Sequence, residues 1–176
     1  MSTTVAQTAP EFTLPGVDGR DHSLADYADD TALVIVQTCN HCPYAQAWES
    51  RLNAVQQDFA GRSVSVVAIN SNDAVSHPED SFEKMQKRAQ ANGLTFDYLY
   101  DEDQSIAHAL GSKRTPEVFV FDGDRKLVYH GAIDDNRDET AVAANYLRDA
   151  LDAVLAGTEP TVADTAAVGC TVKWRK

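Results

Sequence analysis

Cys39-Asn40-His41-Cys42-Pro43 is the stretch whose residue types and spacing could do chemistry. Two cysteines separated by two residues suit a dithiol that closes to a disulfide and reopens. The apolar run Leu33-Val34-Ile35-Val36 precedes them and a helical pattern starts near Tyr44, so they sit at a strand-to-helix corner. A helix N-terminus carries unpaired N–H groups and partial positive charge, which stabilise a thiolate. The thiolate is the attacking species in disulfide exchange. Cys39 is therefore predicted to be the exposed nucleophile, and Cys42, one turn inside, the resolving thiol. His41 stands immediately before Cys42, where a cation would favour the Cys39 thiolate and lower its pKa.

Metal binding is the competing use of the same atoms. Cys39, Cys42 and Cys170 with a histidine make four donors for zinc, and thiolates also suit copper(I). No second Cys-x-x-Cys or paired-histidine motif accompanies them, so no metal is assigned. Cys170 stays open between an inert tail residue, a third redox thiol and a metal ligand. His22, His77, His108 and His130 belong to no motif, and Trp48 and Trp174 read as packing groups. Disulfide exchange needs no organic cofactor, and none is expected. The partners expected are protein or small-molecule thiols and disulfides, with an upstream reductant or oxidant.

The elements that must position this corner follow from the rest of the chain. At 176 residues and 43% apolar composition, the sequence suits one domain with a sizeable core. Its 27 acidic and 15 basic residues give a formal charge of -12. That surface repels nucleic-acid phosphates and anionic lipid, and it fits either ordinary solubility or adaptation to high salt. No stretch approaches the roughly 20 apolar residues of a membrane span. The start, Met-Ser-Thr-Thr-Val-Ala-Gln-Thr, lacks a signal peptide's basic and apolar regions. A cytoplasmic protein, monomeric or weakly dimeric, is expected. In that compartment a Cys-x-x-Cys is more often catalytic or metal-binding than structural.

Residues 1–9 read as a flexible start, 10–156 as the folded domain and 157–176 as a tail carrying Cys170. A short strand is predicted over 10–14, then a turn at Pro15-Gly16-Val17-Asp18-Gly19 and a helical turn capped by Ser23. Buried strands are predicted over 31–36 and 64–69. Between them Tyr44, Trp48, Leu52, Val55 and Phe59 share one helical face, with Pro43 in the first turn and Gly61 at the end. This βαβ unit implies parallel pairing. A helix capped by Asp80 or Ser81 and ended by Gly93, a strand over 95–100 and a short helix ended by Gly111 come next. Glu117–Phe121 and Leu127–Gly131 flank Asp122-Gly123-Asp124 as a hairpin, and a final helix is predicted over 138–155, with Val142, Tyr146, Leu147, Leu151 and Val154 inward.

This order resembles a thioredoxin fold, an α/β mixed central sheet with helices on both faces, preceded by a peroxiredoxin-type N-terminal extension. Ala9-Pro10-Glu11-Phe12-Thr13-Leu14, Gly19 and Ser23-Leu24-Ala25-Asp26-Tyr27 are similar to the opening of the redoxin family, which includes alkyl hydroperoxide reductase and thiol-specific antioxidant proteins. Cys39-Asn40-His41-Cys42-Pro43-Tyr44 and the ending Gly169-Cys170-Thr171-Val172-Lys173-Trp174 resemble one branch of it. Thr115-Pro116 falls where the fold places a cis-proline loop. The resemblance implies that Pro116 packs beside the disulfide and that the Thr115 backbone is free to pair with an extended substrate. Thr38, Pro43 and Pro116 are expected to form an exposed patch for protein substrates. His41 matches the middle histidine of the oxidising bacterial disulfide catalysts.

The departures are specific. Thr38 stands where thioredoxin has Trp, and Leu33 to Gln37 supplies no buried acid; Glu79, Asp80, Glu83 and His108 are the substitutes on offer. The resemblance implies a thiol–disulfide oxidoreductase first. A peroxiredoxin-type peroxidase is the alternative, but Ala32 and Val36 occupy the places of the proline and the hydroxyl residue that such enzymes set before the attacking cysteine. A metal-binding thioredoxin-like module is the second alternative.

Overall fold

The computed structural model describes residues 4–176. β1 (Thr13–Pro15) and β2 (Asp21–Ser23) form an antiparallel hairpin, followed by a 3₁₀ turn over Leu24–Tyr27. β3 (Ala32–Thr38), α1 (Pro43–Phe59) and β4 (Val64–Asn70) make the βαβ unit, with β3 and β4 parallel from Ala32↔Val64 to Thr38↔Asn70. α2 (Phe82–Asn92) leads to β5 (Asp97–Tyr100), parallel to β4. α3 (Ser105–Leu110), the two-residue β6 (Arg114–Thr115), the antiparallel pair β7 (Glu117–Phe121) and β8 (Leu127–Gly131), α4 (Tyr146–Leu155) and β9 (Cys170–Thr171) complete the chain. The five-stranded sheet runs β5-β4-β3-β7-β8, and β3 meets β7 antiparallel.

Strand alternation divides the core between two faces. Ala32, Val34 and Val36 face Trp48, Leu52, Val55 and Phe59 of α1, Met85 of α2 and Leu147 and Leu151 of α4. Leu33 and Ile35 face the other way, onto Phe12, Leu14, Leu24, Tyr27 and the α3 residues Ile106 and Leu110. The N-terminal extension thus serves with α3 as the lid of the second face. All seven residues of β3 are buried, so the strand that delivers the cysteines is held from both sides.

Three expectations change. Residues 1–3 of the expected flexible start lie outside the described residues, but 6–9 are pinned: Ala6 N donates to Leu110 O (3.0 Å), Ala9 N to Arg125 O (3.0 Å) and Leu127 N to Gln7 O (2.8 Å). The last helix begins at Tyr146, not 138. Asp135 Oδ1 accepts the N–H groups of Ala143 (2.9 Å) and Ala144 (3.1 Å), and Arg51 Nη1 binds Asn136 O (2.7 Å). These contacts hold 134–145 outside the α-helix, with a 3₁₀ turn over Glu139–Ala141, so Val142 sits before the helix and is only half-buried. Finally, the tail is stitched to the domain along β8 and β6.

Candidate active site

β3 ends at Thr38, and Cys42 is the N-cap of α1 with Pro43 at the first helical positions. Asn40 ties the turn between them to three elements. Its Oδ1 accepts from Tyr98 Oη (2.8 Å), its Nδ2 donates to Glu79 O (3.0 Å) and its carbonyl accepts from Gln46 Nε2 (2.8 Å). The Thr115–Pro116 peptide is cis. Thr115 meets both sulfurs: its hydroxyl is 3.6 Å from Cys39 Sγ and its carbonyl 3.4 Å from Cys42 Sγ.

Cys39 is not exposed at the corner; it is 2% accessible and Cys42 0%. Nor does Cys39 take the lowered pKa expected of it. A hydrogen bond to Cys42, burial and the Asp80 charge all hold the Cys39 thiol above its ordinary range. Cys42 is lowered, first by the hydrogen bond from Cys39, then by those from Cys170 and the Ala45 backbone N–H, against the opposing effect of burial.

His41 is engaged, not free. Its Nδ1 bonds the Asp80 carboxylate, which has 0% exposure. Asp80 also accepts from Asn40 N (2.7 Å), His41 N (3.2 Å) and Asn72 Nδ2 (2.9 Å). Of the four substitutes for the missing strand acid, Asp80 alone reaches the corner; Glu79, Glu83 and His108 are exposed. It can do so because Ser81, not Asp80, caps α2, accepting from Lys84 N (3.3 Å). Its charge is among the causes that hold the Cys39 thiol up. One donor atom each from Cys39, His41 and Asp80 lies within 4.8 Å of the others. Those three could hold a soft or borderline metal only if Asp80 released its present partners.

The third thiol is brought in by the tail. β9 pairs antiparallel with β6, setting Cys170 opposite Thr115 and Thr171 opposite Arg114. Cys170, half-buried, packs on the cluster of Cys39, Cys42 and Ala45. The expected exposed patch is therefore mostly closed: Pro43 is exposed, but Thr38 and Pro116 are buried and the Thr115 backbone already has a partner strand. Nothing in the one-dimensional pattern of 157–176 signals this, because a two-residue strand has no periodicity to read.

Glu117 lies in a predicted strand and carries no sequence motif. It is 3% exposed, accepts from Lys113 N (2.9 Å) and Arg114 N (2.9 Å), and pairs with His130 Nε2 (2.7 Å), so it braces the loop that holds Thr115. Trp48 is core, as expected, and donates its indole N–H to Asp134 (2.8 Å), while Trp174 stacks on His108 with centroids 4.3 Å apart.

The five-stranded mixed sheet with helices on both faces is a thioredoxin fold. Residues 5–130, more than half of the chain, match the AhpC/TSA family. The thiol-disulfide oxidoreductase ResA of Geobacillus thermodenitrificans is 28% identical over 125 residues, covering 70% of this chain and 66%, just under two thirds, of its own length. A Mycobacterium tuberculosis protein named as a putative peroxiredoxin is 32% identical over 139 residues, covering 71% of this chain and 82% of its own. The crystal structure of a hypothetical protein from Sinorhizobium meliloti 1021 superposes with a TM-score of 0.92 at 38% identity, covering 99% of this chain and 97% of that one.

Proposed function

This chain belongs to the AhpC/TSA family, and from that premise we propose that it is a thiol–disulfide oxidoreductase working through Cys39 and Cys42. The observation that carries the reading is the sulfur pair itself: two cysteines packed together at the N-terminus of α1, both against Thr115, the residue before Pro116.

Cys39 acts as the thiolate while Cys42 stays a thiol that donates to Thr115 O, 3.4 Å away. The Cys39 thiolate attacks one sulfur of a substrate disulfide, and the other leaves as a thiolate. Cys42 then attacks the Cys39 sulfur of the mixed disulfide. The Cys39–Cys42 bond forms, the second substrate thiolate leaves, and the proton of Cys42 goes to it. The substrate gains two electrons and the protein loses them; the reverse sequence oxidises a dithiol. His41 and Asp80 set the charge beside Cys39. Thr38, Pro43 and Thr115 are the proposed substrate-contacting residues, reached once β9 has moved off Thr115. The proposed partners are protein or small-molecule disulfides with an upstream electron donor or acceptor, in the cytoplasm. Among the described residues no helix is long and apolar enough to cross a membrane.

The test is equilibration in glutathione or dithiothreitol redox buffers with alkylation mass spectrometry. A Cys39–Cys42 couple near about -270 mV marks a thioredoxin-like reductant, and one near about -120 mV an oxidant. Failure of that disulfide to form at any poise would overturn the reading.

Peroxidase activity is the second reading, favoured by the 32% identity to the M. tuberculosis protein. Against it, Ala32 and Val36 are core residues of β3 that offer a peroxide no hydroxyl. The Thr115 hydroxyl is the group that would have to serve, 3.6 Å from Cys39. Peroxide consumption no faster than that of a free thiol rejects this reading.

A further inference from the structure

We propose that Cys170 is a third redox thiol, carried on a built-in strand where an extended substrate would pair, and that it takes the disulfide over from Cys39–Cys42 as Cys42–Cys170. The inference rests on the dithiol reading above and extends it. Its basis is placement. β9 lies antiparallel on β6, the two residues that precede the cis-proline, so Cys170 stands opposite Thr115. Thr115 is the residue that touches both Cys39 and Cys42. Cys170 packs directly on the cluster that holds the two redox sulfurs and Ala45.

The approach is too close to be loose packing. A β-carbon on Gly169 would lie 2.0 Å from Thr115 O and 3.2 Å from Pro116 N, so only glycine lets the strand reach this depth. The strand is also anchored on both sides. Upstream, His130 N donates to Ala163 O (3.1 Å) and Thr165 N to His130 O (2.9 Å). Downstream, Val172 N donates to Lys113 O (3.1 Å), Asp73 N to Lys173 O (2.9 Å) and Lys173 N to Asn72 Oδ1 (2.9 Å). With Val172 buried at 3% exposure, these anchors return β9 and its thiol to Thr115 once a substrate has left.

The transfer is balanced without another reactant. Substrate reduction leaves Cys39–Cys42 oxidised. Cys170 loses its proton and attacks the Cys42 sulfur; the Cys39–Cys42 bond breaks, the Cys42–Cys170 bond forms, and Cys39 leaves as a thiolate that takes up the proton. No electrons enter or leave. The disulfide has moved from two buried sulfurs to one that includes the half-buried Cys170, where an external thiol can reach it, and Cys39 is a thiol again.

The test uses the full chain and its Cys39→Ser variant, each oxidised stepwise with glutathione disulfide, blocked by alkylation and mapped without reduction. A tethered thiol acts at an effective concentration of about millimolar or more. The expected result is an intramolecular Cys42–Cys170 disulfide in Cys39→Ser, outcompeting the glutathione adduct of Cys42. Separate thiols or separate glutathione adducts at Cys42 and Cys170 would overturn the inference, and a wild-type Cys39–Cys42 disulfide in the same experiment would leave the proposed function standing. Absence of Cys39–Cys42 from the wild type would sink both. Gly169→Val gives a second handle, since its side chain must push β9 off Thr115. The Cys42–Cys170 disulfide should drop about tenfold or more in Cys39→Ser/Gly169→Val, while Gly169→Val alone keeps Cys39–Cys42. An undiminished Cys42–Cys170 yield would deny β9 its delivering role and so overturn the proposal.

Discussion

The Nδ1 of His41 bonds the carboxylate of Asp80, a group with no exposed surface, 39 residues further along the chain. The Asp80 charge raises the Cys39 thiol, and His41 is the side chain that faces that carboxylate. His41→Ala strands a buried carboxylate beside Cys39. The thiolate of the pair is then disfavoured, its first pKa rises by about one unit or more, and the couple becomes more reducing. Asp80→Asn removes the charge that holds Cys39 up and should shift the same pKa downward. Thiolate absorbance followed against pH reads both variants. Shifts of the same sign in the two would remove the pair from control of the dithiol.

Arg51 should be among the most costly residues to truncate. It is 9% exposed, and its Nη1 lies 3.0 and 2.8 Å from the two oxygens of Asp134, itself 4% exposed. The same guanidinium holds Asn136 O and Arg137 O, which shapes the loop before α4. Breaking a buried pair leaves one charge uncompensated, and Arg51→Met should cost about 3–5 kcal/mol. Urea unfolding measures it, and a loss below about 1 kcal/mol would contradict this account.

His130 predicts a pH dependence. Burial pushes its pKa down, but hydrogen bonds to Glu117 and Asp164 outweigh that and raise it. A histidine raised in the folded state contributes stability that is fully present below its unfolded pKa of about 6.5 and is lost as pH rises through the folded value. Stability should therefore fall between pH 6 and the raised value, more steeply than in His130→Gln. Denaturant midpoints across that window test this, with the cysteines blocked in both proteins so that thiol titration does not contribute. Equal slopes would show that the bonds to Glu117 and Asp164 do not hold the imidazolium.

The Cys39, His41 and Asp80 cluster sets an expectation for metal. A closed zinc site takes four ligands. Asp80 already serves the backbone N–H groups of Asn40 and His41 and the Asn72 amide, so ligation would strip buried donors of their acceptor. Protein purified anaerobically should carry well under one equivalent of zinc or copper, by elemental analysis. A full equivalent that resists chelator would turn the assignment toward the metal-binding module.

Some of this was legible in one dimension. The buried strands, the α1 face of Trp48, Leu52, Val55 and Phe59, and the corner that presents Cys39 and Cys42 are local matters. They follow from hydrophobic period, from Pro43 at the helix start and from chain order. The mixed sheet followed as well, because a βαβ unit dictates parallel pairing and a short hairpin antiparallel pairing. Tertiary structure decided everything that depends on which distant segments meet at the end of β3. Asp80 became the partner of His41 because Ser81 took the capping position, a choice two adjacent cap-forming residues leave open. The late start of α4 came from Arg51 and Asp135 holding loop backbone that the apolar spacing had suggested was helical. Cys170 reached Cys42 because one glycine allowed a two-residue strand to lie flat on Thr115. Backbone pairing over so short a run leaves no period in the sequence, and contacts between remote segments are settled only when the whole chain packs.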